Sequence, residues 1–275
     1  MSASSAARRL ELAGASVLIF PDRESACEAA ADRIAEVIRS ATAGPSGRAV
    51  LGLATGSTPV PIYARLVEEH RQGRLSFAEV VTYNLDEYYP IGPCDPESYR
   101  SFMHRHLFSK VNLAPHRAHV LDGTVPEAFA AETCSAFDRW IEADGGLDLQ
   151  LLGLGRNGHI GFNEPSEMPV EEALKRPTRL ADLHPVTLAD AAKDFVGGSA
   201  AVPRRALTMG IAPILAARSI LVLAFGPHKS EAVARSLKGE RTANVPGSLL
   251  QAAPGRVTWM LDPEAAEGLR QGTTK

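Results

Sequence analysis

Cysteine is scarce: Cys27, Cys94 and Cys134 are the only three in 275 residues. An odd number at such wide spacing supports neither a disulfide framework nor a zinc site, so all three are read as reduced thiols. Basic runs are missing as well. The 29 basic residues against 32 acidic ones leave a net charge of −3, which lacks the electrostatic footprint of a general nucleic-acid binder. The longest apolar runs, such as SILVLAF at 219–225, fall far short of the roughly 20 residues that a bilayer span needs. At the N-terminus two arginines have no apolar stretch behind them, so residues 1–14 read as a frayed tail rather than a signal peptide. A cytoplasmic chain with neither a membrane nor a nucleic-acid partner is expected.

What is present is ordinary globular composition, with 45% apolar and 22% charged residues. Short apolar runs recur at 15–20, 49–54, 80–85, 147–154, 219–225 and 256–261. They are continuous rather than alternating, as in strands buried on both faces. Between them lie amphipathic stretches; in the first, Cys27, Ala31, Ile34 and Ile38 fall on one helical stripe. Strand and helix in alternation predict an α/β fold with a mainly parallel sheet, helices on both faces, and ligands beyond the carboxyl ends of the strands. No linker or repeat interrupts the pattern, so 15–275 is expected to be one catalytic domain. The stretch 164–204 holds Pro165, Pro169, Pro177, Pro185 and Pro203 and no clear strand. It reads as a lid-like excursion over the site.

Three loops carry candidate chemistry. After the second run, Thr55, Gly56, Ser57 and Thr58 precede Pro59. With Thr58 as N-cap and Pro59 as the first helical residue, free N–H groups and three hydroxyls would cradle one phosphate; a capped turn without ligand is the alternative. In YNLDEYYP, Asp86 and Glu87 end the third run. Adjacent side chains of an extended backbone face opposite ways, so one acid faces a common site, and spacing does not say which. In LLGLGRNGHIGFNEP, Gly153, Gly155 and Gly158 spell G-x-G-x-x-G. The dinucleotide reading is rejected, because Pro165 soon follows and the acid Glu164 comes only six residues after Gly158. That loop does place Asn157, His159 and Glu164 together, and a histidine beside a carboxylate is a common proton-transfer pair. There is no G-x-S-x-G elbow, and His104 and His106 on a helix face different directions.

TGSTP, NLDEY, NGHIGFNEP, ESYRSFMHRHLF at 97–108 and GPHKSEAV at 226–233, in this order, resemble the glucosamine-6-phosphate deaminase family. The resemblance covers about 49–260. It implies a Rossmann-like sheet, a small amino-sugar phosphate as substrate, no metal or organic cofactor, and a possible homo-oligomer. The implied reaction opens the sugar ring, isomerises the aldose toward the ketose, and turns glucosamine 6-phosphate and water into fructose 6-phosphate and ammonia, which would make the chain a hydrolase. Residue by residue, Asp86 becomes the base that moves the carbon-2 proton to carbon 1. His159 becomes the ring-opening acid/base, oriented by Glu164, and Thr55, Gly56, Ser57 and Thr58 hold the phosphate with Lys229. Two positions depart from the pattern. Asn157 stands where many relatives have aspartate, and Lys193 stands where some use a phosphate-binding arginine, so a bidentate fork is lost although the charge remains. A 6-phosphogluconolactonase, which needs no carbon-2 base, and a non-catalytic sugar-phosphate sensor are the competing readings.

Overall fold

A computed structural model describes residues 7–193 and 195–270. The first half of the chain runs β1 (Arg8–Leu12), β2 (Ala15–Ile19), α1 (Arg23–Ala43), β3 (Ala49–Leu53), α2 (Val60–Arg71), β4 (Val80–Asn84), β5 (Asp86–Tyr89), α3 (Tyr99–His106), β6 (Ala118–His119) and α4 (Glu127–Ala143). The second runs β7 (Leu149–Gly153), α5 (Val170–Ala173), β8 (Arg179–Asp182), α6 (Pro185–Ala191), β9 (Arg205–Thr208), α7 (Ile211–Ala216), β10 (Ile220–Ala224), α8 (Ser230–Lys238), β11 (Val257–Leu261) and α9 (Glu267–Arg270).

All six apolar runs are strands of one eight-stranded sheet in the order β1-β2-β11-β10-β7-β3-β4-β6. Every pairing is parallel except β1 with β2. The fold is therefore the mainly parallel α/β sheet with helices around it that the alternation of runs predicts. Burial explains the continuous apolarity: β3, β4 and β10 are buried at every position. Helix α1 lays Cys27, Ala31, Ile34 and Ile38 into the core, and Asp22 caps it by accepting from the Ser25 N–H at 2.7 Å. The chain leaves β3 outward to β4 and β6, then returns to β7 on the other side of β3. A crevice opens at the carboxyl ends where the order reverses, and ligands of open α/β sheets bind there.

Two expectations change. The frayed tail through residue 14 holds strand β1, paired antiparallel with β2. Ala13 and Gly14 both have positive φ, 50° and 73°, and two such residues make the tight turn whose twist suits a hairpin. An alanine in that region gives little warning in sequence; residues 1–6 lie outside the described residues. The excursion at 164–204 does contain a strand. β8 joins β5 and β9 in a second, antiparallel sheet in the order β5-β9-β8, which covers a small apolar cluster of Tyr88, Ile91, Phe162, Leu183 and Ala206.

The excursion is seated tightly on the rest of the fold at Gly210. A Cβ there would lie 2.1 Å from the Arg176 carbonyl oxygen and 2.3 Å from the Pro177 carbonyl carbon. Both are backbone atoms that a rotamer change cannot move. Gly210→Ala is expected to cost about 1–3 kcal/mol and lower the thermal midpoint by roughly 2–10 °C. An unchanged midpoint in a thermal melt contradicts this close approach.

Candidate active site

The loops after β3, β4, β7 and β10 converge on one cavity of about 540 Å³ at that crevice, within the range of small-molecule sites. Its wall includes Thr55, Gly56, Ser57, Thr58, Asp86, His159, Lys193 and Lys229. The residues singled out by sequence are thus brought together, apart from Asn157 and Glu164, which stand behind the imidazole.

The loop at 55–58 is pinned from both sides. The buried Tyr63 hydroxyl donates to the Ala54 carbonyl, and Arg23 Nη2 donates to the Ser57 carbonyl at 2.7 Å. Helix α2 starts at Val60, with Pro59 as its N-cap and no side-chain cap bond. The cap is therefore one residue later than sequence suggests, and Thr58 is not its capping side chain. Lys229 ends a 3-10 turn, Pro227–Lys229, directly before α8. The turn is held where Gly226, at φ 85°, donates its N–H to Asp262 Oδ2 at 2.8 Å. A lysine at a helix N-terminus opposes the helix dipole, and burial lowers its pKa. The positive end of the helix dipole and the ammonium would both attract an anion to that corner.

Asp86 and Glu87 divide as extended backbone requires. Asp86 lines the cavity. Glu87 points away and accepts from the N–H groups of Tyr99 at 2.8 Å and Arg100 at 3.0 Å, the first residues of α3. Burial, and then the charge of Glu87, push Asp86 up to about 8. Burial pushes Glu87 up to about 7 against the pull of its backbone donors. A buried carboxyl near 8 is poised for proton transfer around neutral pH.

His159 Nδ1 lies 2.7 Å from Asn157 Oδ1. The orientation of that amide is defined, since Oδ1 also accepts from the His159 N–H at 3.2 Å and Nδ2 donates to Glu164 Oε2 at 3.2 Å. An acceptor oxygen at Nδ1 assigns the proton to that nitrogen, which leaves Nε2 to exchange a proton with a ligand. The direct contact expected of Glu164 is made by Asn157. Glu164 Oε2 is 3.5 Å from the ring and reaches it chiefly through the amide. Burial lowers the His159 pKa, with Glu164 pulling it upward and Lys229 downward. Gly155 of this loop serves the histidine itself: a Cβ there would lie 2.3 Å from the imidazole, so only glycine lets the ring pack there.

Lys193 sits at the cavity mouth with its side chain 79% exposed and 4.0 Å from Asp190 Oδ1. Sequence reasoning missed Arg156, Thr187, Asp190 and His228, all on the cavity wall. Arg156, beside Asn157 in an already suspect loop, carried a signal; Thr187 carried none. Tyr88, Tyr99 and Phe162 also line the cavity, and Tyr99 stacks on Phe162 with the rings 9° apart. Among the described residues no group of three or more His, Cys, Asp or Glu side chains could hold a metal ion.

Fold and cavity together define an α/β protein with a cationic corner, a buried carboxyl and an imidazole in one site. The chain belongs to the family described as glucosamine-6-phosphate isomerases/6-phosphogluconolactonase, whose model matches residues 21–259. A relative named glucosamine-6-phosphate deaminase from Rhodopirellula baltica is 45% identical over 248 residues, covering 90% of this chain and 93% of the relative. A solved structure described as a monomeric glucosamine-6-phosphate deaminase superposes with a TM-score of 0.84 at 36% identity, covering 92% of this chain and 99% of that one. A 6-phosphogluconolactonase from Trypanosoma cruzi superposes at 0.70 with 20% identity, covering 92% and 96%, which establishes a shared fold alone. The match corrects one expectation. The relatives are deaminases within a family named for isomerases, so the reaction class is an isomerase-type deamination rather than a simple hydrolysis. No helix among the described residues is long and apolar enough to cross a membrane.

The Asn157 amide gives a direct test. Asn157→Asp would place a second carboxylate beside Glu164 and the imidazole, favouring the imidazolium. The His159 titration, followed by NMR, is expected to move upward, with the three groups titrating as a coupled unit. Superimposable titrations would mean that position 157 does not sense His159.

Proposed function

We propose that this chain converts glucosamine 6-phosphate and water to fructose 6-phosphate and ammonia by isomerising deamination. The observation that carries this reading is that Asp86 and His159 share one cavity with the loop at 55–58 and Lys229. In this reading the sugar's phosphate lies against Thr55, Gly56, Ser57, Thr58 and Lys229, with Lys193 at the mouth. His159 takes the ring hydroxyl proton at Nε2 and passes it to the ring oxygen, opening the ring. Asn157 and Glu164 keep the imidazole in the Nδ1–H tautomer. Asp86 then removes the carbon-2 proton and returns it to carbon 1. That shift, with a proton passing from the amine to the carbon-1 oxygen, makes a ketimine at carbon 2, which water hydrolyses with loss of ammonia. Phosphate binding far from the reacting carbon supplies energy to orient it, and a positioned base contributes on the order of 10²–10⁴ in rate.

The lactonase reading is weaker because hydrolysing a lactone needs no carbon-2 base, whereas Asp86 is buried in the cavity wall at considerable electrostatic cost. Three unpaired thiols support a reducing compartment such as the cytoplasm.

Ammonia release from glucosamine 6-phosphate is expected, undiminished by EDTA. Galactosamine and mannosamine 6-phosphates tested alongside define the epimer preference. Inactivity on all three, with tight sugar-phosphate binding, would favour a sensor. Asp86→Asn is expected to abolish exchange of the carbon-2 proton with deuterated solvent while substrate binding changes little; exchange near the parent rate would move the base to another residue.

Lys229 contributes charge-assisted hydrogen bonds, each worth about 1.5–3 kcal/mol. Lys229→Ala is therefore expected to weaken substrate binding by roughly one to two decades, measured by calorimetry. Lys193→Arg should leave binding equal or tighter, and Lys193→Ala binding like the parent would remove Lys193 from the phosphate site.

A further inference from the structure

Helix α6 meets the loop after β7 at two points. Thr187 and Asp190 are three residues apart and so share one face of the helix. The residues they meet, His159 and Arg156, are also three apart. Thr187 Oγ1 lies 3.2 Å from His159 Nδ1, and Asp190 Oδ2 lies 3.0 Å from Arg156 Nε. Thr187 is 5% exposed, so water offers its hydroxyl little alternative to the imidazole.

We propose that Thr187 is a positioning residue for His159, by which α6 holds the proton-carrying imidazole from the excursion while Asn157 holds it from its own loop. The proposal rests on the reading of His159 as the ring-opening acid/base. Asn157 Oδ1 fixes the proton on Nδ1, so the Thr187 oxygen is a second acceptor for that same N–H. When Nε2 takes up a proton, the Nδ1–H becomes part of a cation and its hydrogen bonds strengthen. Thr187 therefore favours the imidazolium more than the neutral ring. The other groups acting on the ring are Glu164 from its own loop, Lys229 from the start of α8, and His184 and Asp190 from α6. The Asp190–Arg156 pair supplies the second anchor, which restrains α6 from turning about the Thr187 contact. Lys193 follows the end of α6 by two residues, so one short segment joins the phosphate side of the cavity to the imidazole.

The test compares Thr187→Val, which keeps the shape and removes the oxygen, with Thr187→Ser, which keeps the oxygen. In the substrate-free protein the His159 pKa is read by NMR, with His159→Gln used to assign the signal. Thr187→Val is expected to lower it by about half a unit to one unit, the size of one net hydrogen bond, and Thr187→Ser to restore it. With glucosamine 6-phosphate, Thr187→Val is expected to lower kcat by about 3- to 10-fold, to change KM less than twofold, and to move the His-dependent limb of the pH profile down. A His159 titration in Thr187→Val that matches the parent overturns the proposal, as does Thr187→Ser behaving like Thr187→Val. A parent enzyme that releases no ammonia would defeat the proposed function instead, and the NMR titration would still decide whether Thr187 acts on His159.

Discussion

The chain passes from one sheet to the other within a single residue, and the site depends on that handover. β4 ends at Asn84 and β5 begins at Asp86. Leu85 between them donates its N–H to Leu53 of the large sheet at 2.9 Å and accepts from Met209, just past β9 of the small sheet, at 2.6 Å. Asp86 is therefore fixed where two sheets meet, in the cavity wall and only 5% exposed. The cost of placing a carboxyl there is expressed in its raised pKa, which is the property a base for proton transfer near neutral pH requires. Glu87, one residue on, faces the other way and satisfies the first N–H groups of α3. One acid faces the cavity and its neighbour holds the scaffold.

The small sheet also orders the histidine loop. Thr208 on β9 accepts the Phe162 N–H at 3.0 Å. Asn163 donates to the carbonyls of Ile160 and Met209, each at 2.9 Å, and Arg179 on β8 donates to Asn163 Oδ1 at 2.8 Å. Gly161 has φ 56°, and a Cβ there would sit 3.1 Å from Thr208 Oγ1 and 3.5 Å from Asp86 Oδ2. The turn carrying His159 and Glu164 thus lies directly on the strand pair that carries Asp86. This packing, with groups locked by partners outside the cavity, is the preorganisation an active site needs.

Charge around the cavity is arranged by position rather than by total. The net charge of the chain is slightly negative, yet Arg156, Lys193 and Lys229 all border this one space. Asp190 is the carboxylate among them, paired with Arg156 and near Lys193. A dianionic ligand entering there would meet these cations, while Asp86 occupies the part of the wall contributed after β4.

What the sequence determined by itself is what local patterning can carry. Six continuous apolar runs specify strands buried on both faces, because such runs have no solvated side to turn outward. Glycines and hydroxyls after β3, and Asn157, His159 and Glu164 within one short loop, were legible because neighbours in the chain are neighbours in space. Adjacency also showed that only one of Asp86 and Glu87 faces the site; the resemblance to a family chose Asp86, and the handover at Leu85 gives the physical reason. The tertiary structure decided the rest. Strand β1 was missed because its turn places an alanine at positive φ, and β8 because a short strand among prolines has no distinguishing periodicity. Thr187 lies 28 residues from His159 in the chain, and no local spacing relates a threonine on a seven-residue helix to an imidazole in a loop after another strand. Only the packing of the excursion over the sheet brings those two atoms together.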